Sequence, residues 1–295
     1  MPTDKQLAND HKYVTEHGRK PAPGVTTIIG MIDKPGLKWG SSEVAAKTAL
    51  QVLRTRKFKK VVDQHRQVCM ANPKKMVNNA NGIKIRPQYA TDDEIFIDYC
   101  RGEFDRQWKA KAALGSRVHD HALSWAQGKP VQVQADEMGY MDALERFLRD
   151  WRPRSILDEA IVLNPNPLGQ SELEYGGRLD RVGEFDLPPW MGVRLMDFKT
   201  GAPGYIEDKA LQAALYWCSE GVASYNDDGS LGKLIPLPDI DGAMTVYLGA
   251  DGQYILDDPL AHITKEECFT AGMHLRAAWN SHKKIEAIEK ELREE

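Results

Sequence analysis

Apolar positions recur at helical spacing through the first half of the chain. The clearest case is residues 135–151, where Met141, Leu144 and Leu148 fall on one face of a helix. Ser116 is suited to cap the preceding helix, which Gly128 would end. The same spacing predicts helical segments from about residue 41 and over residues 92–113, 116–127 and 135–151.

After Pro153 the spacing changes to the pattern typical of β-strands. The first three strands are joined by segments too short for a crossover helix, so we expect them to be antiparallel neighbours. A helix over residues 206–220 and a C-terminal helix opened by the capping box Thr264–Glu267 accompany the later strands. The strands are predicted over residues 156–163, 175–185, 193–199, 243–248 and 254–256.

Composition places the chain among ordinary globular proteins. Its 295 residues are 42% apolar and 28% charged, which is enough material for one elaborated domain or two. We expect a helical and basic N-terminal extension over residues 1–114, packed on a core over residues 115–295 that also carries the C-terminal hairpin and helix. The four cysteines are scattered, and we find neither an apolar run of membrane-spanning length nor a secretory leader. We therefore expect a cytoplasmic protein with no membrane partner.

The net charge of −4 does not indicate a basic protein, but one stretch is basic throughout. Residues 44–62 contain no acidic residue, and Lys57, Lys59 and Lys60 are its densest group. Two interpretations stay open, namely a solvated helix face and an edge that contacts phosphates. Trp39 likewise can stack on a base or pack in a core.

Two aspartates and a lysine stand on the second and third predicted strands. Asp197 and Lys199 lie on one face of an otherwise apolar strand, because side chains alternate along a strand. Asp180 on the neighbouring strand can come close to Asp197, and a divalent cation usually relieves the repulsion between two such carboxylates. Arg178 shares the strand face of Asp180 and is a candidate phosphate contact, whereas Arg181 points away and is expected to form a structural salt bridge.

This set of residues predicts a metal-dependent phosphodiesterase site. Oxygen ligands favour Mg²⁺ or Mn²⁺. Such an ion lowers the pKa of a bound water and neutralises charge on a phosphodiester. Lys199 can orient the attacking water or stabilise the transition state.

His119 and His121 are two residues apart on a predicted helix, so they cannot both face one ion. From the residues alone a structural role is the simpler expectation for each. The surrounding motifs change this for His119. Its context Gly115-Ser-Arg-Val-His119 precedes GGRLDRV, which contains Asp180, and DFKTG, which contains Asp197 and Lys199.

With these motifs, and with Gln212 and Tyr216 in the spacing Q-x-x-x-Y, the chain resembles the PD-(D/E)XK nuclease superfamily. Within it the RecB-like branch, and phage-encoded exonucleases in particular, are most similar. The specific matches cover residues 115–220, and a looser similarity covers residues 25–50. The resemblance implies an α/β (α+β) fold with a restriction-endonuclease-like αβββαβ core, a mixed central sheet, flanking helices and an N-terminal helical extension.

The resemblance also implies roles for individual residues. The implied ligands of Mg²⁺, for which Mn²⁺ can substitute, are His119, Asp180, Asp197 and the main-chain carbonyl of Phe198. The implied catalytic residues are Lys199, Asp197, Asp180, Gln212, Tyr216 and Glu159. His121 keeps its structural interpretation.

Some members of the branch hold an iron–sulfur cluster through four cysteines, three of which are grouped after the nuclease core. In this chain only Cys218 and Cys268 follow DFKTG, and they are far apart. We therefore expect no iron–sulfur cluster, and the purified protein should lack its absorbance band.

The resemblance implies an exonuclease that hydrolyses DNA in recombination or DNA processing. Two alternatives stay open, namely a structure- or sequence-directed endonuclease and a catalytically inactive nucleic-acid-binding module. The expected partner is the phosphate backbone of DNA. A homo-oligomer and a single-strand annealing or recombination protein are further partners that the resemblance allows, and the expected location is the cytoplasm, of the host if the protein is encoded by a phage.

Overall fold

The structure is a computed structural model that describes residues 13–14, 22–32, 35–126, 128–204, 206–226 and 230–294. Within these ranges the side chains of residues 35–40, 126, 293 and 294 lie outside the description. The fold is a mixed α/β fold with a mixed sheet and flanking helices. No described helix combines the length and the hydropathy that a membrane span needs.

The helices are α1 (Val25–Ile29), α2 (Pro35–Arg54), α3 (Phe58–Ala71), α4 (Asp92–Arg101), α5 (Glu103–Ala126), α6 (Met138–Trp151), α7 (Ile206–Trp217) and α8 (Lys265–Glu294). The strands are β1 (Val77–Asn78), β2 (Lys84–Ile85), β3 (Arg154–Asp158), β4 (Ile161–Asn164), β5 (Tyr175–Arg178), β6 (Arg181–Phe185), β7 (Gly192–Thr200), β8 (Gly221–Tyr225), β9 (Leu231–Pro236), β10 (Gly242–Leu248) and β11 (Tyr254–Asp257). Short 3-10 helices span Pro87–Tyr89, Pro167–Gly169 and Ser171–Leu173.

The chain forms two compact units. The larger unit contains residues up to Ile32 together with Leu114–Glu295, and the smaller unit contains Asp33–Ala113. Helix α1 therefore belongs to the larger unit, in which Val25 and Ile28 are buried with residues of α7. The N-terminal extension predicted over residues 1–114, in contrast, includes α1.

The larger unit holds a five-stranded mixed sheet in the order β11-β10-β7-β6-β3. Strand β7 lies at its centre, antiparallel to β6 and parallel to β10, so that Asp197 stands opposite Thr245. A second, four-stranded antiparallel sheet has the order β5-β4-β8-β9.

Helices cover both faces of β7 because its apolar residues alternate. Met196 and Phe198 pack beneath α6, whose Phe147 ring lies 6.0 Å from the Phe198 ring between centroids. Leu195 faces the other way and is buried with Leu215 of α7. Asp197 and Lys199 share the face of Leu195, as the alternation predicts.

The strands predicted over residues 156–163 and 175–185 are corrected by the structure, because each segment is divided between the two sheets. The first breaks at Glu159, whose backbone is left-handed with φ 48°. The second breaks between β5 and β6, so Asp180 does not lie on a strand. The N–H of Glu159 donates to the carbonyl of Asp180 at 2.7 Å, and the N–H of Leu179 donates to Ala160 at 3.0 Å. These two hydrogen bonds join the backbone at the end of β3 to the backbone between β5 and β6.

Several other boundaries differ from the sequence prediction. Helix α2 begins at Pro35 rather than near residue 41, and Ser116 lies inside α5 instead of capping it. The segment between α3 and α4 contains the small hairpin of β1 and β2, which was not predicted. Strands β8 and β9 were not predicted. The capping box is confirmed, since the Thr264 hydroxyl accepts from the Glu267 N–H at 3.2 Å and the Glu267 carboxylate accepts from the Thr264 N–H at 3.0 Å.

Candidate metal centre

The paired breaks in the strands bring two carboxylates to one place. Glu159 follows β3 directly and Asp180 precedes β6, and the backbone bond between them fixes their separation. The Asp180 carboxylate also accepts from the N–H of Phe198 at 2.7 Å, which holds it against the centre of β7. Left-handed backbone at a residue other than glycine costs on the order of 1 kcal/mol, and such strain is concentrated at functional sites.

Helix α5 adds a histidine to these carboxylates. The Nδ1 atom of His119 lies 3.4 Å from Asp180 Oδ1 and 3.7 Å from Glu159 Oε1. Its Nε2 atom lies 2.9 Å from the main-chain oxygen of Phe198. The glycine of the G-x-x-x-H motif has a packing reason, because a Cβ at Gly115 would stand 3.2 Å from the Thr200 hydroxyl.

Asp197 and Lys199 form a partly buried pair on β7. The ammonium donates to Asp197 Oδ1 at 2.5 Å. The other oxygen, Oδ2, is buried, and no donor among the described residues bonds to it. A buried carboxylate oxygen without a partner costs about 1–3 kcal/mol or more, so a cation there would satisfy it.

The charged groups of this site change one another's pKa values. Burial alone would lower the pKa of His119, but the Asp180 and Glu159 carboxylates raise it to about 10. Burial would raise the pKa of Asp180, yet the His119 charge holds it at about 2. Burial raises the pKa of Asp197, although Lys199 opposes this, and Asp197 and Asp180 together keep the pKa of Lys199 above its usual value despite burial.

The residues fit a divalent cation. One ligand atom from each of His119, Glu159 and Asp180 lies within 4.8 Å of the others, which is the convergence that one ion requires. The two carboxylates supply the oxygen ligands that Mg²⁺ and Mn²⁺ prefer. The structure thus brings Glu159 into the group with His119 and Asp180. The Asp197 carboxylate stands beside them and influences the same charges, since Asp180 acts on its pKa.

Gln212 and Tyr216 face the same region from α7. They are one helical turn apart, and Gln212 Nε2 lies 3.5 Å from the Tyr216 hydroxyl. Burial raises the pKa of Tyr216 well above its usual value, and the Asp180 and Asp197 carboxylates raise it further. Tyr216 therefore stays protonated and can donate a hydrogen bond towards an anion.

Replacing Gly177 with alanine should displace Tyr216. A Cβ at position 177 would lie 2.3 Å from Tyr216 Cε1, whereas at Gly204 it would meet no atom within 4 Å. We expect Gly177→Ala to lower the free energy of unfolding by about 1–3 kcal/mol, the usual cost of overpacking. Urea unfolding of Gly177→Ala beside the control Gly204→Ala measures this. Equal stability of the two variants would contradict the packing described here.

Arg178, one of the predicted DNA contacts, borders this group. Arg178 ends β5, and its Nε atom lies 3.0 Å from Glu159 Oε2, so it borders the site through that carboxylate. The argument from a shared strand face is wrong, because Asp180 lies beyond the end of the strand. Arg181 is buried and pairs with Asp158 at 2.5 Å, which confirms the predicted structural salt bridge.

The predicted basic residues belong to the smaller unit. The side chains of Lys57, Lys59 and Lys60 are exposed, and Lys59 pairs with Asp63 at 3.2 Å and with Asp92 at 3.1 Å. Their contact with DNA stays a prediction. Trp39 belongs to α2, but its side chain lies outside the described residues.

His121 has contacts outside the candidate metal centre. His121 Nε2 lies 3.1 Å from the buried Glu137, which also pairs with Arg117. This pairing fits a structural role for His121.

Tyr247 was not predicted as a residue of the site. It stands opposite Lys199 in the parallel pairing of β10 with β7. The strand was predicted, but its register against β7 is a long-range feature that local patterns do not contain.

The high pKa of His119 makes the metal-free protein sensitive to alkali. The folded-state pKa of about 10 lies above the ordinary value of 6.5. The charged imidazole therefore stabilises the fold fully below about pH 6.5, and this contribution is lost as the pH rises through about 10. With a chelator present, the stability advantage of wild type over His119→Gln should fall by an amount on the order of a few kcal/mol between pH 6 and pH 10. Urea unfolding across this range tests it, and a pH-independent difference would contradict it.

Comparison with known proteins adds no further identification. The chain matches none of the protein-family models, and no curated protein matches it. The functional interpretation therefore depends on the residues and their geometry.

Proposed function

We propose that this chain is a metal-dependent deoxyribonuclease that hydrolyses phosphodiester bonds. The observation that carries the proposal is the convergence of His119, Glu159 and Asp180 beside the partly buried pair of Asp197 and Lys199. An ion-binding group next to a fixed ammonium is suited to a substrate that carries negative charge. A phosphodiester meets that requirement, because its charge grows during attack by water.

The order of elements supports the fold that this function would use. Helix α5, strands β3, β6 and β7, helix α7 and strand β10 occur in this order in the larger unit, with α6, β4, β5, β8 and β9 between them. This is the order of the αβββαβ core of PD-(D/E)XK nucleases. Asp180 lies just before the second of its three strands, Asp197 and Lys199 lie on the third, and Glu159 follows the first. We propose that the chain has this core and belongs with the RecB-like branch.

A divalent ion held by His119, Glu159, Asp180 and Asp197 would supply an activated water and neutralise charge on the phosphate. The residues of the chain supply the remaining requirements. Lys199 stays charged because the two aspartates hold its pKa above its usual value, so it acts as a fixed cation and not as a base. Its ammonium can donate to a phosphate oxygen on which charge develops.

Glu159 and Tyr216 position the other parts of the site. One oxygen of Glu159 pairs with Arg178, and the other faces His119. Arg178 therefore lies directly beside the ion-binding group. Arg178 is one-third exposed and can contact a phosphate of the substrate. Tyr216, kept protonated by burial, offers a hydroxyl donor from the opposite helix.

The test of this proposal is digestion of DNA by the purified full chain with Mg²⁺ or Mn²⁺. We expect end-labelled linear DNA to be degraded progressively from its ends and closed circular DNA to be resistant, as for an exonuclease. Cleavage of closed circles would favour the endonuclease alternative. Binding of DNA without hydrolysis, with both ions and on single- and double-stranded substrates, would contradict the proposal and favour the inactive binding module.

A further inference from the structure

A second group of metal-ligand side chains lies within the smaller unit and has no part in the proposed nuclease site. It consists of His65 and Cys69 on α3 and Asp98 on α4. His65 Nε2 lies 2.9 Å from Asp98 Oδ2 and 3.5 Å from Cys69 Sγ, and the sulfur lies 4.0 Å from Asp98 Oδ2. Three different ligand atoms therefore face one point.

The local fold explains this convergence. His65 and Cys69 are four residues apart, so they project from the same side of α3 one turn from each other. Cys69 is 2% exposed, and the apolar core of the unit contains Ile95 and Cys100 of α4. The side chain of His65 is only 13% exposed and that of Asp98 20%. The group is thus held on two packed helices instead of on a loop.

The spacing matches a small tetrahedral ion. Zinc binds sulfur at about 2.3 Å and nitrogen or oxygen at about 2.0–2.2 Å, so two of its ligands stand about 3.3–3.7 Å apart. The His65–Cys69 separation of 3.5 Å lies within this range. The His65–Asp98 separation of 2.9 Å is shorter and the Cys69–Asp98 separation of 4.0 Å is longer. One sulfur, one imidazole and one carboxylate together select zinc-class cations over Mg²⁺, which prefers oxygen ligands.

We propose that His65, Cys69 and Asp98 form a binding site for a zinc-class divalent cation that links α3 to α4. Such a link would stabilise a small unit whose apolar core is limited, as structural zinc does in other small domains. A catalytic Cys–His–Asp relay is the competing interpretation. It does not fit, because the same imidazole nitrogen faces both the sulfur and the carboxylate.

Lys75 pairs with the carboxylate of this group. Its ammonium lies 3.0 Å from Asp98 Oδ1 and 2.9 Å from Oδ2, and its side chain is 36% exposed. In the absence of a metal ion this ammonium neutralises Asp98. Because a long exposed side chain can turn into solvent, Lys75 acts as a competitor for the carboxylate. Removing its charge should therefore strengthen metal binding.

Cobalt(II) is the probe that tests the site, since a cobalt–thiolate bond gives a charge-transfer absorption band in the near ultraviolet. We expect one equivalent of Co²⁺ to produce this band in the reduced full chain and Zn²⁺ to abolish it by displacement. The nuclease site contains no cysteine, so Co²⁺ bound there gives no such band. Success or failure of this test is thus independent of the proposed nuclease function.

Four variants separate the proposal from adventitious binding. Cys69→Ser should remove the band and His65→Gln should weaken binding of Co²⁺ at least about 10-fold, whereas Cys100→Ser, a buried cysteine of the same unit, should retain the band. Lys75→Met should bind Co²⁺ more tightly than wild type. Circular dichroism checks that each variant is folded. Absence of the band in wild type and in Lys75→Met, or its persistence in Cys69→Ser, would overturn the proposal.

Discussion

Asp197→Asn should reduce the rate of DNA hydrolysis at least about 1,000-fold while the protein remains folded. The substitution keeps the shape of the side chain but removes the negative charge of a carboxylate whose Oδ2 atom is buried and accepts no hydrogen bond from the described residues. Loss of a carboxylate that supports the ion removes several kcal/mol of transition-state stabilisation, and about 1.4 kcal/mol corresponds to each factor of ten in rate. Initial rates on linear DNA with Mg²⁺ measure the effect.

The matched control for this variant is Asp142→Asn, an exposed aspartate on α6. It should have wild-type activity, and both variants should show the circular dichroism of the wild type. Asp197→Asn with more than about one-tenth of wild-type activity would mean that this carboxylate does not support catalysis.

The second large effect is expected for Lys199→Met, which should lower the rate about 100- to 1,000-fold with little change in DNA affinity. Methionine keeps most of the aliphatic length of lysine, so packing on β7 changes little. What is lost is one preorganised positive charge beside the reacting phosphate, and removal of one such group typically costs this factor. The chemical step is affected more than binding, because the charge on the phosphate develops in the transition state.

Lys233→Met provides the comparison, since Lys233 is an exposed lysine on β9 of the same unit. Single-turnover rates and DNA affinities of both variants should be measured separately. If Lys199→Met weakened binding and left the single-turnover rate unchanged, Lys199 would be a binding residue and not a transition-state stabiliser.

Local patterns predicted the centre of the larger sheet well. Strand β7 was predicted because its apolar residues alternate with Asp197 and Lys199, and that alternation alone fixes these two side chains on one face. Helix α6 and the capping box of α8 were predicted for the same reason, since their signals lie within a few neighbouring residues.

The breaks beside Glu159 and Asp180 were not predicted, because they depend on partners far away in the chain. The apolar run from Ala160 to Leu163 continues the preceding strand without a glycine or proline between them. Only the bonds between the two breaks, and the pairing of β4 with β8, show why the backbone turns at Glu159. This turn directs Glu159 to His119, so the most informative residue of the site was the one with the weakest sequence signal.

Strands β8 and β9 illustrate another limit. The helix predicted over residues 206–220 ends at Trp217, and β8 begins soon after it at Gly221. Strand β9 lies at the edge of its sheet and ends at Pro236, where the missing N–H of proline is tolerated. Its short alternation is too weak to separate it from a loop.

The central claim is that the group of His119, Glu159, Asp180, Asp197 and Lys199 hydrolyses DNA with a divalent ion. The most direct test is release of nucleotides from end-labelled linear DNA by wild type and by Asp180→Asn, each with Mn²⁺ and with a chelator. We predict that wild type releases nucleotides in the reaction with Mn²⁺ and not in the reaction with the chelator. Asp180→Asn should release none in either reaction. Equal release in all four reactions, or none by folded wild-type protein with either Mn²⁺ or Mg²⁺, would contradict the claim.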